Sequence, residues 1–275
     1  MTASSVTRPD AGAEAGGDAP PRTRTAERLA ALGRAELTLL MRNKAALVTA
    51  LFVPALTAFS LRGMVRDLDL GDTGLSMATV LLPGALGLAL IFSVYANLVT
   101  VYVTRRESLV LKRLRTGEVR DWEIFAAGAI PALLLAVVQC VLLILLMTVA
   151  LDAPAPAAPH LVVVAVLTGA ALLMAGGALT AAVTRTAESA QLTFLPFWLL
   201  SMAGSGMFLP REVLPGRAAD ISAWLPFSPV MDLLRGGWTG DLGAVDQGRL
   251  VLATLAWTGV AALGVRRWFR WSPRN

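Results

Sequence analysis

Long apolar stretches without a single charged residue alternate with short charged segments along this 275-residue chain. A charge at the bilayer centre is costly, so each such stretch is a candidate membrane span. Six stand out: residues 45–61, 73–104, 124–151, 153–184, 189–210 and 250–265, holding 17, 32, 28, 32, 22 and 16 residues. A span takes about 17–25 residues. The first and last are short, but Arg62, Arg249 and Arg266 can snorkel outward and lengthen them. The alternative for either is a buried or re-entrant helix. The second and third are too long for one span and too short for two with a turn, so each reads as one tilted or protruding helix. The fourth opens with Pro154, Pro156, Pro159 and His160, which make its start a loop. The pattern predicts an all-α polytopic fold with six transmembrane helices at about 45–62, 78–104, 124–150, 161–184, 189–209 and 249–266.

The flanks read differently. Residues 1–25 are rich in Ala, Gly, Pro, Ser, Thr and charge and lack the apolar core of a signal peptide, so they read as a disordered cytoplasmic tail. Over 26–44, Leu29, Leu32, Leu37, Leu40 and Met41 gather on one side and Arg28, Arg34 and Arg42 mostly elsewhere, though Glu36 intrudes. This predicts an N-terminal interfacial helix on the inner leaflet, or a plain extension of the first span. At the other end Arg266, Arg267, Trp268, Phe269, Arg270 and Trp271 suit an interfacial anchor. The segment 211–248 is long for a loop yet apolar, with Trp224, Phe227, Val230, Met231 and Leu233. Pro210, Pro215, Pro226 and Pro229 divide it into short pieces. Non-helical backbone at membrane depth is tolerated where protein buries it.

Composition agrees, with 56% hydrophobic and 16% charged residues. A soluble domain carries about 25% charge, and disordered chains are poorer still in apolar residues. With the N-terminus inside, 18 of the 24 Lys and Arg residues fall on the inner segments, while acidic residues divide almost evenly. The net charge of +5 therefore reads as positive-inside bias, with both termini cytoplasmic and no nucleic-acid partner.

Catalytic chemistry is hard to find. One cysteine, Cys140, and one histidine, His160, exclude an intramolecular disulfide, a Cys-based zinc site and a His-pair metalloprotease motif. A P-loop needs glycine, lysine and then Ser or Thr; Lys44 is followed by Ala45 and Lys112 by Arg113. The chain reads as a non-enzyme with no cofactor of its own. The six stretches hold no ionisable Asp, Glu, Lys or Arg, which argues against proton coupling. What remains is mild polarity at Asn97, Thr100, Gln139, Gln191 and Thr193, residues that either bond between helices or line a pathway. Small residues are dense at 84–87, 169–171, 175–178 and 204–206, which suits close helix packing.

The most informative polar segment is 105–123, R-R-E-S-L-V-L-K-R-L-R-T-G-E-V-R-D-W-E, with ten charges. Leu109, Val110, Leu111 and Leu114 give it an apolar component, and Thr116–Gly117 is a plausible helix stop. Such a helix would either dock on a partner or bind headgroups. Together with the six-span layout and the later G-S-G-M-F-L-P-R-E-V-L-P, this segment resembles the type-2 permease family of ATP-binding cassette transporters. The likeness is greatest to actinobacterial drug-exporter permeases of the daunorubicin-resistance kind.

The resemblance covers about 27–270, within a transmembrane domain of 26–271, and it implies roles for residues. Arg106, Glu107, Leu111, Lys112, Arg113, Leu114, Arg115, Thr116 and Gly117 map onto the helix that couples to the ATPase. The family often has a proline after the leucine-arginine run, where this chain has Gly117–Glu118. The segment after span five, with Phe208, Pro210, Pro215, Pro226, Pro229 and Arg235, would form outer re-entrant helices. The implied partners are a nucleotide-binding ATPase subunit carrying ATP and Mg, a second permease subunit as homodimer or heterodimer, and membrane lipid. The implied activity is export of an amphipathic drug, antibiotic or lipid across the cell membrane. The alternatives are a secondary transporter and a non-transport membrane scaffold or enzyme.

Overall fold

The computed structural model describes residues 77–108, 121–151, 154–207 and 216–269, and eight separate helical positions between 34 and 56. The predicted tail, nearly all of the interfacial segment and first span, residues 109–120, and Phe208, Pro210 and Pro215 lie outside the described residues. Regular structure among the described residues is helical throughout.

The second predicted span is α1 (Met77–Leu90), a π-helical turn (Ile91–Ala96) and α2 (Asn97–Glu107), joined end to end. Then come α3 (Asp121–Leu151), α4 (Pro159–Val183), α5 (Ala187–Thr193), α6 (Leu195–Gly204), α7 (Arg217–Ala223), α8 (Ser228–Thr239) and α9 (Ala244–Trp268). Four helical segments are long and apolar enough to cross a bilayer: Leu81–Glu107, Phe125–Leu146, Pro159–Val183 and Ala244–Trp268. The fifth predicted span, 189–209, is instead two pieces meeting at Phe194. Pro196 has no N–H to give the Leu192 carbonyl and its ring crowds that turn, so the helix breaks there. It resumes at once, with Trp198 N–H donating to Phe194 O at 3.1 Å.

Local signals set the ends. Pro159 starts α4, where a missing N–H costs nothing. Thr186 and Ser189 form a reciprocal capping box that starts α5. Gly240, at φ 74°, closes α8 in the left-handed conformation.

α4 is the central helix, packed against α9, α8, α2 and the π turn. Gly177 makes one of these close approaches possible. A Cβ there would lie 3.4 Å from Tyr95 O and 3.7 Å from Val99 N, so the backbone of the π turn and the start of α2 rests on α4 backbone. α3 shows why the assembly suits a bilayer. Ala132, Leu135, Ala136, Gln139, Cys140 and Leu143 are buried, whereas Leu134, Val138, Val141, Leu145 and Val149 are exposed. Both stripes follow the helical period, and both are apolar apart from Gln139. An apolar exposed face of that length has no place in water and matches lipid. α8 lies within the bundle between α1 and α4, with Ser228 to Trp238 buried apart from Asp232.

Candidate functional site

Two clusters of polar and aromatic groups sit on the α1–α2 helix, one at its middle and one at its end. At the middle, the π turn displaces the backbone register and presents Phe92, Ser93 and Tyr95 to three neighbours. Ser93 Oγ donates to Gln139 Oε1 of α3 in a buried hydrogen bond. Tyr95 Oη meets Thr180 Oγ1 of α4 at 2.8 Å. Phe92 lies edge-on to Phe194 and Trp198, each at 5.9 Å between centroids, and Tyr95 lies 4.5 Å from Phe197. The π turn of one helix therefore faces the proline break of another, with aromatic rings between them. π turns recur at functional positions because they re-aim side chains inside an otherwise regular helix. The Trp198 indole N–H is buried and has no acceptor among the described residues.

At the end of α2, Arg106 is fully buried. Its Nη1 donates to Ala181 O at 2.8 Å, and its Nη2 donates to Thr184 O and, at 3.3 Å, to Arg185 O. These are carbonyls at the C-terminal end of α4, which lack helical partners and carry the negative end of the helix dipole. The next residue acts in the opposite sense. Glu107 Oε1 accepts the N–H of Ala187, the first residue of α5, at 3.1 Å. A cation caps the end of α4 and an anion caps the start of α5, so two consecutive residues grip the 184–186 turn from both sides. Thr184 Oγ1 adds a contact across it to Thr193 Oγ1 at 2.9 Å. One turn earlier, Tyr102 Oη donates to Phe125 O of α3 at 2.9 Å. Phe125 in turn packs edge-on against Tyr102 and against Phe269 at the end of α9.

Not all the sequence-predicted residues come together. Arg106 and Glu107 share the α4–α5 turn, and the remaining coupling residues, Leu111 to Gly117, lie outside the described residues. Among the polar span residues, Gln139 pairs with Ser93 and Thr193 with Thr184, both between helices. Thr100 Oγ1 returns to Ala96 O in its own helix. Asn97 is half-buried and Gln191 is exposed. Pro226 precedes α8, Pro229 lies in its first turn, and Arg235 donates from α8 to Gly206 O. Sequence reasoning missed Ser93, Tyr95, Thr180 and the Phe92–Phe194–Trp198 group. The available signal was the spacing of Phe194, Phe197 and Trp198, three and four residues apart, which places rings on one helix face.

Span-length apolar helices, a lipid-facing stripe on α3 and polar pairs buried between helices define a multi-pass α-helical membrane protein. Residues 27–238 match the family model described as ABC-2 type transporter, and the chain belongs to that family. It is therefore a membrane permease of an ATP-binding cassette transporter, a transport component whose family implies association with an ATP-binding subunit. Comparisons with curated proteins and with solved structures returned no match.

Proposed function

We propose that the chain is the transmembrane subunit of an exporter that moves an amphipathic drug, lipid or similar molecule out of the cytoplasm or inner leaflet. Two copies, or this chain and a close relative, form the pathway in the cell membrane, with both termini cytoplasmic. Separate ATPase subunits bind ATP and Mg and dock on the 105–123 segment. Helices α7 and α8 are the outer re-entrant elements.

The observation that carries this reading is the grip of Arg106 and Glu107 on the α4–α5 turn. These two residues stand at the start of the 105–123 docking segment, so a displacement of that segment is delivered to α2, α4 and α5 together. Arg106 is buried and acts by positioning, while Leu111, Lys112, Arg113, Leu114, Arg115, Thr116 and Gly117 form the docking surface itself. Closure of the ATPases favours the outward-facing arrangement because contacts at this base differ between the two states. The long charge-free stretches of the spans fit an amphipathic cargo better than an ion.

The test is affinity capture of the full chain from its native membranes, followed by reconstitution. A P-loop ATPase should co-purify, and the complex should accumulate a fluorescent amphiphile such as rhodamine 123 inside inverted vesicles only with ATP. Capture of the chain with no ATPase, or ATP-independent accumulation driven by a proton gradient, refutes the proposal.

A further inference from the structure

A cavity lies where α9 faces α7 and α8, away from both clusters described above. Its volume is about 810 Å³, within the range of sites for small ligands. One wall is a stripe of α9 running from Asp246 and Arg249 through Ala253, Ala256 and Trp257 to Val260. These residues recur every three or four positions and so share one side of the helix. From Asp246 to Val260 the stripe is about 21 Å long at 1.5 Å per residue, enough to run the depth of one leaflet, about 15 Å of hydrocarbon. Trp224, Pro229 and Gly236 form part of the opposite wall.

Polarity is sorted along this groove. Exposed Asp241, Asp246 and Arg249 gather at one end, near Asp232 and Arg235 of α8. Beyond Arg249 the α9 wall offers only Leu250, Ala253, Ala256, Trp257 and Val260. A charged mouth leading into a narrow apolar slot has the shape of an amphiphile. The rest of α9 explains how such a molecule arrives: Leu252, Leu255 and Leu263 are exposed, so the helix is bathed in lipid.

The charges select among lipid heads. The exposed mouth carries two carboxylates, Asp241 and Asp246, and one guanidinium, Arg249. A purely anionic head would meet net repulsion, whereas a head with both a phosphate and an ammonium satisfies both signs. We propose that this groove binds an aminophospholipid of the phosphatidylethanolamine type. The phosphate sits at Arg249, the ammonium between Asp241 and Asp246, and one acyl chain lies along Ala253, Ala256, Trp257 and Val260. The other chain remains in the bilayer. The inference needs only that the chain spans a membrane and is independent of the exporter proposal.

The test uses the full chain, purified, delipidated and exposed separately to phosphatidylethanolamine and phosphatidylglycerol, with retained lipid counted by native mass spectrometry. The expected result is one retained phosphatidylethanolamine per chain, favoured over phosphatidylglycerol by about tenfold, as one desolvated ionic contact would give. Ala256→Trp and Val260→Trp, both at exposed positions, fill the slot and lower occupancy by about tenfold, the worth of two lost methylene contacts. Asp241→Asn with Asp246→Asn removes the preference for ethanolamine while the chain still binds. Equal retention of the two lipids by the unaltered chain overturns the head assignment and with it the proposal. Unchanged occupancy in both tryptophan variants overturns it as well. Unchanged occupancy together with an altered oligomeric state would mark the groove as a contact with a second copy. If the variants fail to fold, the two-lipid comparison on the unaltered chain decides alone.

Discussion

Two buried arginines hold opposite regions of this permease, and they do so differently. Arg106 reaches three carbonyls at the end of α4 and has Glu107 beside it, serving the start of α5. Arg235 donates to Gly206 O and borders the 810 Å³ cavity. The first side chain closes a joint. The carbonyls of Ala181, Thr184 and Arg185 lie in the last turn of α4 and in the link that follows it, so α2 is tied there to α4 and, through Glu107, to α5. The second holds the Gly206 carbonyl beside an open groove. The contrast is between a polar joint that ties three helices together and a helix face left open beside a groove.

The comparison breaks most readily at Arg106. Arg106→Ala leaves carbonyls at the α4 end buried without a donor, a loss of about 3 kcal/mol or more, since hydrogen bonds to charged groups are worth about 1.5–3 kcal/mol each. The thermal unfolding midpoint of the full chain in detergent should fall further for this variant than for any other named here. Arg235→Ala removes the bond to Gly206 and should cost about 1–3 kcal/mol in the same measurement. A larger loss for Arg235→Ala than for Arg106→Ala would reverse the ranking of the two regions.

The polar middle provides a smaller effect. A double-mutant cycle of Ser93→Ala and Gln139→Leu should return a coupling of about 0.6 kcal/mol and no more than about 1.7 kcal/mol, read from unfolding in mixed micelles. A value near zero would mean that Ser93 and Gln139 do not bond in the membrane. The smallest stability effect belongs to Glu107→Gln. Its amide oxygen still accepts the Ala187 N–H and only the charge at the α5 N-terminus is lost, so the unfolding midpoint should barely move.

Charge gaps made α3, α4 and α9 legible, because a helix must exclude charge over the part of its length that crosses the hydrocarbon. Pro159 and Gly240 mark helix ends by rules that act within a few residues. The break at Phe194 was also written locally, in Pro196, but the unbroken apolar run around it suggested a single span. The π turn at 91–96 was not legible. I-F-S-V-Y-A carries no glycine or proline, and the turn coincides with contacts to Gln139, Thr180 and Phe194 from three other helices. Arg106 shows the same limit. The resemblance placed it with the coupling residues on the cytoplasmic side, and only the packed turn at 184–186 shows that its guanidinium is fully enclosed. Glu107 fell within the segment read as coupling, but its role in capping α5 depends on a residue 80 positions away.

The central claim is that the Arg106–Glu107 joint carries the work of the ATPase into the spans. ATP hydrolysis and ATP-driven rhodamine 123 accumulation measured together in proteoliposomes on the Glu107→Ala complex, in which the Ala187 N–H has lost its acceptor, test it most directly. Hydrolysis near that of the unaltered complex with about tenfold less dye moved per ATP is the predicted result. An unchanged ratio of dye moved to ATP hydrolysed would contradict it.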